Sequence, residues 1–256
     1  MKLTENTIFI TGGGSGIGRG LAEALHKLGN KVIISGRRKG YLDATTKANP
    51  GMRSVELDIQ DPASIAAVAK KLIAEYPALN VLINNAGVML IDDAAGKVDD
   101  QRLTSTVATN MLGPIRLTSA LIEHLKQQPK ATIIYTTSAL GFVPLALTAV
   151  YSATKAALHS YVLSQRYKLK ATSVSVLEIA PPWVQTDLLN SKEEPLAMPL
   201  TEFIEETIKV LGTDADEILV ERAKPFRNNP GPNESALFTQ FNDMMIAARP
   251  QGLFED

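Results

Sequence analysis

Six short apolar runs recur along the chain, and longer stretches with helical spacing of their apolar residues lie between them. Few architectures accept that alternation. The runs cover residues 7–11, 31–35, 53–57, 79–83, 131–136 and 173–179. The helix-like segments cover 16–28, 39–47, 62–75, 99–126 and 149–170. In the first of these, Ile17, Leu21, Leu25 and Leu28 share one face. Strands that alternate with helices are expected to run parallel and to be joined by right-handed crossovers. The expected fold is therefore α/β, a doubly wound, mainly parallel sheet of about six strands with helices on both faces.

A chain of 256 residues fits one large domain. Within it, residues 1–186 read as a core, 187–224 as lid helices and 225–256 as a C-terminal extension. Residues 188–200 are loop-like, broken by Pro195 and Pro199; 201–211 and 214–224 read as helices. The stretch 225–233 holds three prolines and a glycine and reads as an extended connector, after which an extra helix is expected from Glu234 to about Ala248.

The first strand ends in Thr11-Gly12-Gly13-Gly14-Ser15-Gly16-Ile17-Gly18, and a helix starts inside the glycines. In that position Gly12 can make a tight turn, Gly16 admits a pyrophosphate close to the backbone, and Gly18 allows helix and strand to pack closely. The N–H groups of Ser15, Ile17 and their neighbours at the helix start then face the phosphates. Taken alone, the loop is equally a glycine-rich turn of any α/β protein. Its place between a first strand and a first helix turns the reading toward a dinucleotide site in a single Rossmann-fold domain. The second strand runs Val32-Ile33-Ile34-Ser35-Gly36-Arg37-Arg38, with two arginines where an acid would bind ribose hydroxyls. Guanidinium groups suit a 2′-phosphate, so NADP(H) is expected over NAD(H); the plainer reading is a solvated basic turn. Asp58 is a candidate adenine partner or helix N-cap.

Tyr151 and Lys155 stand four residues apart on an expected helix and so share a face; Ser138 lies thirteen residues before the tyrosine. A phenol becomes an acid/base when a neighbouring ammonium favours its phenolate. A serine hydroxyl at a strand end can hold a substrate oxygen whose charge changes. Alone, the Tyr-x3-Lys pair is an ordinary exposed helix pair. With Ser138 and the glycine loop it points to hydride transfer between a nicotinamide and a carbonyl or alcohol, in which the cofactor carries the hydride.

The combination resembles the short-chain dehydrogenase/reductase family over roughly residues 5–190. Thr11–Gly18 matches its Thr-Gly-x3-Gly-x-Gly loop, and Asn84-Asn85-Ala86-Gly87 its Asn-Asn-Ala-Gly motif. Ser138, Tyr151 and Lys155 match its catalytic triplet. The resemblance implies that Asn110 holds a water in a proton relay with Lys155. It also implies that Asn85, Ala86 and Gly87 line the cofactor, and that Pro181, Val184 and Thr186 border the nicotinamide. Three departures stand out. Pro182 replaces a usual glycine, Ser15 occupies a position often basic in NADP-preferring members, and no terminal strand with a Gly-Gly pair is found. The last point resembles a bacterial oxidoreductase subgroup. It also suggests a homodimer paired through helices 99–126 and 149–170, since the missing strand often helps build a tetramer.

Residues 88–98, 139–150 and 187–212 are expected to border the substrate, with 187–200 acting as a lid. Their apolar content, Ala139–Leu147 above all, implies a small, largely apolar ketone, aldehyde or secondary alcohol. Core packing beneath a loop is the competing reading. Net charge is −1, which gives no case for nucleic acid or an anionic membrane. No apolar run is long enough to cross a bilayer, and no signal-peptide pattern opens the chain. The absence of cysteine excludes disulfides and thiolate chemistry, and a cytoplasmic location is expected. His26, His124 and His159 lack ligand spacing, and Asp92, Asp93, Asp99 and Asp100 read as a solvated loop and helix start, so no metal site is expected. A nicotinamide-binding regulatory protein without turnover and a related epimerase or dehydratase are the alternative functions.

Overall fold

The computed structural model describes residues 1–229 and 231–248. Seven parallel strands form one sheet: β1 (Thr7–Thr11), β2 (Lys31–Gly36), β3 (Arg53–Glu56), β4 (Leu79–Asn84), β5 (Ala131–Thr136), β6 (Val174–Ile179) and β7 (Glu217–Ile218). Their order is β3-β2-β1-β4-β5-β6-β7. The helices are α1 (Gly16–Lys27), α2 (Lys39–Ala48), α3 (Pro62–Glu75), α4 (Asp100–Val107), α5 (Gly113–Gln127), α6 (Ala149–Leu169), α7 (Leu200–Leu211), α8 (Lys224–Arg227) and α9 (Glu234–Ala248). Chain order reverses between β1 and β4, and a crevice opens there at the carboxyl ends of the strands.

Successive strand residues point to opposite faces, which explains why these runs are apolar throughout rather than alternating. Ile8 and Ile10 of β1 enter one core with Leu21, Leu25, Phe203 and Leu211. Phe9, between them, enters the other with Leu72, Leu117, Leu121 and Val162. The sheet is thus covered by α1 and α7 on one side and by α3, α5 and α6 on the other.

Three boundaries differ from the sequence reading. The single helix expected over 99–126 is broken: α4 passes into a π turn at Ala108–Leu112, where Gly113 N–H donates to the Ala108 carbonyl, and α5 follows. Pro114, early in α5, has no N–H to give the carbonyl of Asn110 four residues back. Residues 214–224 do not form the expected helix. Ile218 and Val220 are both buried, a two-residue period that suits an extended edge, and Glu217 and Ile218 pair with Glu178 and Ile179 of β6. The sheet therefore gains a short seventh strand. The connector at 225–233 includes α8 and a 3-10 turn at Gly231–Asn233. Pro230 and residues 249–256 of the expected C-terminal extension lie outside the described residues.

Candidate active site

The turn after β1 is built on close approach. Gly12 has φ +69° and Gly16 φ +52°, the left-handed region that glycine enters without a Cβ penalty. A Cβ on Gly18 would collide with the carbonyl of Gly12 and the side-chain amide of Asn85. Thr11 fixes the next strand end: its hydroxyl accepts from Asn85 N–H at 2.9 Å and Ala86 N–H at 3.0 Å. Asn85 in turn donates from Nδ2 to the Thr11 carbonyl at 3.0 Å. Gly16 faces Thr186, whose Cβ would be 3.4 Å from an added methyl. Gly12, Ser15, Gly16, Ile17, Gly18, Asn85, Ala86, Gly87, Pro181, Val184 and Thr186 all line one cavity of about 900 Å³. That size lies at the upper end of small-molecule sites, ~300–1,000 Å³.

Arg37 and Arg38 line the same cavity beyond the glycines. Arg38 donates to Ser15 Oγ at 3.1 Å and stacks 4.0 Å over the Tyr41 ring. Arg37 is exposed and makes no side-chain hydrogen bond or ion pair among the described residues. Asp58 does not line the cavity, although Leu57 and Ile59 do. Its Oδ1 accepts from Gln60 N–H at 3.0 Å, and the N-cap of α3 is Asp61.

Ser138, Tyr151 and Lys155 line the same cavity, all buried. Tyr151 and Lys155 are brought together by α6, with Lys155 Nζ 5.5 Å from the phenol ring centroid. Asp92, read from the sequence as a solvated acid, holds the start of that helix: its carboxylate accepts from Ala149 N–H at 3.1 Å and Val150 N–H at 2.9 Å. Lys155 donates to the Thr136 carbonyl at 2.8 Å. Burial pushes the Lys155 ammonium down to about 8, against the pull of the Glu178 carboxylate. Burial also pushes the Tyr151 phenol up to about 12, opposed by its hydrogen bond with Ser138. Burial thus raises the phenol, where the sequence reading expected the neighbouring ammonium to favour the phenolate.

Asn110 sits in the π turn, a local form that recurs at functional sites. Its side chain grips Val88, accepting from the N–H at 2.9 Å and donating to the carbonyl at 2.8 Å. It also donates to Thr154 Oγ1 at 3.3 Å. Gly87 lies between Asn110 and Lys155: a Cβ there would stand 3.4 Å from Asn110 Oδ1 and 3.7 Å from Lys155 Nζ.

Beyond the serine the cavity wall is apolar. Met89, Leu140, Leu145, Trp183, Leu189 and Leu196 lie in or near the three segments expected to border a substrate. The sequence reading expected α9 over Glu234–Ala248 but did not place it at the cavity, where it supplies Phe241, Met244, Met245 and Ala248; Arg222 and Phe226 were likewise not singled out. The signal was present in the spacing of Phe238, Phe241 and Met245, one helical face of a segment read only as an extension. Asn242 clamps α9 over the site, accepting from Ala146 N–H at 2.6 Å and donating to the Pro144 carbonyl at 3.1 Å. At 187–200, Ser191 is wholly buried with its hydroxyl facing the carbonyls of Val184 (3.2 Å), Thr186 (3.4 Å) and Leu188 (2.8 Å). This side of the cavity is thereby tied to the segment carrying Val184 and Thr186.

The family model for short chain dehydrogenases matches residues 6–197. The chain belongs to the short-chain dehydrogenase family. It is an NAD(P)-dependent oxidoreductase of that family. It is 38% identical over 248 residues to the uncharacterized oxidoreductase DltE of Bacillus subtilis, covering 94% of this chain and 98% of that one. A short chain dehydrogenase from Burkholderia cenocepacia, solved in complex with NADP, superposes with a TM-score of 0.83 at 25% identity. That match covers 94% of this chain and 98% of the other. A short-chain dehydrogenase/reductase from Burkholderia phymatum, solved with NAD, shares the fold at a TM-score of 0.80 and 20% identity, over 90% and 94% of the two chains. Among the described residues of this family member, no helix is long and apolar enough to cross a membrane.

Proposed function

We propose that the protein is an NADP(H)-dependent carbonyl reductase acting on a small, largely apolar ketone or aldehyde, or on the corresponding alcohol in reverse. The observation that supports this reading is that Ser138, Tyr151 and Lys155 line the same cavity as the glycine turn. The fit to a dinucleotide rests on the turn itself: Gly12 and Gly16 take positive φ, Gly18 packs against the Gly12 carbonyl, and all three border the cavity at the start of α1. Gly12 to Gly18 would hold the pyrophosphate, Lys155 the nicotinamide ribose, and Val184 and Thr186 the nicotinamide. When bound, the cofactor supplies or accepts the hydride.

The chain's own residues handle the oxygen and its proton. Ser138 holds the carbonyl oxygen, and Tyr151, kept protonated by burial, donates as negative charge develops on that oxygen. Lys155 stabilises the phenolate left behind. Asn110 serves the return of the proton: its side chain fixes Val88 beside Gly87, and Pro114 withholds the N–H that an α-helix would give its main-chain carbonyl, the group we assign to a relay water. The apolar wall from Met89 to Met245 excludes water and favours an apolar substrate. An intact Ser138–Tyr151–Lys155 set favours turnover over a purely regulatory role, which needs no proton donor.

Arg37 carries the choice of NADP(H), with Arg38 and Ser15 beside it. NADPH is expected to raise the melting temperature more than NADH at equal concentration. In Arg37→Ala, NADPH should bind about tenfold or more weakly while NADH binding is unchanged, since a charged hydrogen bond contributes ~1.5–3 kcal/mol. Equal stabilisation by both cofactors in the native protein would contradict the assignment. We further infer a cytoplasmic homodimer paired through α4, α5 and α6. Its support is the apolar outer face of α6, where Leu163 and Tyr167 are 44% and 67% exposed. Light scattering should give a dimer mass, and a stable tetramer would exclude this pairing.

A further inference from the structure

Glu178 has no part in the reactions above, yet it lies on β6 with no solvent exposure. A buried carboxylate is costly unless charge and hydrogen bonds offset its desolvation. Its two oxygens are held by different elements. Oε1 accepts from the Thr137 hydroxyl at 2.5 Å, and Oε2 lies 2.8 Å from His159 Nδ1. Thr137 directly precedes Ser138. His159 stands four residues beyond Lys155 on α6, on the same helical face. One carboxylate therefore bridges the segment that presents Ser138 and the helix that presents Tyr151 and Lys155.

Other charged groups stand around it. Glu217 of β7 brings a second carboxylate, and ligand atoms of His159, Glu178 and Glu217 lie within 4.8 Å of one another. Glu217 is gripped by Arg227 of α8 through two bonds, 2.7 Å and 3.0 Å, and Arg166 of α6 adds a more distant positive charge. Arg227 thus answers Glu217. Glu178 also attracts Arg227 and pairs with His159 when that ring is protonated, and its charge reaches Lys155, four residues before His159 on the same face of α6. The Thr136 carbonyl gives that ammonium a hydrogen bond but no opposite charge. The attraction of Glu178 opposes the burial that drives Lys155 toward its neutral form.

We propose that Glu178 is a positioning residue for the proton-transfer set, clamping the Ser138 segment to α6 through Thr137 and His159 and serving as the counter-charge of Lys155. The proposal rests on the assignment of Tyr151 and Lys155 as the proton-transfer pair. Its test is read without substrate or cofactor, so it is decided separately from any failure to find turnover. The titration of Lys155 is followed through its side-chain carbon-13 resonance in lysine-labelled protein, assigned with Lys155→Arg. In the native protein the midpoint should lie at about 8. In Glu178→Gln, which keeps shape and removes charge, it should fall by roughly one pH unit or more. Glu178→Asp should recover most of that fall, which restored packing alone would not do. If Glu178→Gln is not recovered folded, the similarly sized Glu178→Met removes the same charge and needs no buried hydrogen bonds. An unchanged Lys155 midpoint in either folded neutral variant would overturn the proposal.

Discussion

Tyr151→Phe is expected to lower kcat by about 10²–10⁴-fold, the usual contribution of a positioned general acid, while NADPH binds with nearly native affinity. In the proposed mechanism the Tyr151 hydroxyl, beside Ser138 in the cavity, is the group whose loss removes proton transfer. Phenylalanine keeps the ring, its place on α6 and its packing; it gives up one buried hydrogen bond, with a net stability cost of ~0.5–1.5 kcal/mol. Folding should therefore survive. The measurement is a paired one, with steady-state turnover set beside a fluorescence titration of NADPH. Native turnover in Tyr151→Phe would remove the tyrosine from the mechanism. A parallel loss of NADPH binding would place it in cofactor recognition instead.

Gly18→Ala should be the most damaging single methyl group in the cofactor half. The added Cβ meets the Gly12 carbonyl, which is backbone, and the Asn85 amide, which is itself bonded to the Thr11 carbonyl. Neither can move without opening the turn. Overpacking of this kind costs roughly 1–3 kcal/mol. At this chain length that corresponds to a fall in melting temperature of about 2–4 °C for each kcal/mol. The turn that would hold the pyrophosphate is displaced as well, so NADPH affinity should drop by more than tenfold. Thermal melting with and without NADPH checks both effects. A variant with native stability and native affinity would show that helix and turn do not approach as closely as described.

The parts of the fold that were legible are those in which local chemistry and long-range packing agree. The apolar runs of β1, β2, β4, β5 and β6 are buried on both faces, so their sequence announces them. The glycine turn was legible because only glycine suits Gly12 and Gly16 at positive φ and the crowded position of Gly18. β7 was not, because two residues give too little pattern to outweigh a helical reading of 214–224. The break between α4 and α5 was signalled only by Pro114, early in a helix where proline is ordinarily tolerated.

For the site, motif residues were legible and their partners were not. Ser138, Tyr151 and Lys155 follow a spacing, whereas Asp92 reaches α6 from a loop more than fifty residues earlier in the chain. Glu178 and His159 meet only because β6 and α6 pack together. Arg37 and Arg38 line the cavity, while the Asp58 carboxylate accepts from Gln60 N–H in its own loop. The spacing of Phe238, Phe241 and Met245 marked an apolar face on α9, but where that face docks is set by distant contacts such as Asn242 with Pro144 and Ala146.

The most direct test of the central claim follows the hydride. NADPH carrying deuterium at the transferable position of the nicotinamide is incubated with the protein and a panel of apolar ketones and aldehydes, and the products are weighed by mass spectrometry. The account predicts an alcohol carrying one deuterium at the former carbonyl carbon, with matching oxidation of the cofactor. Bound cofactor that stays reduced throughout, with substrates unchanged or merely isomerised or dehydrated, would contradict it.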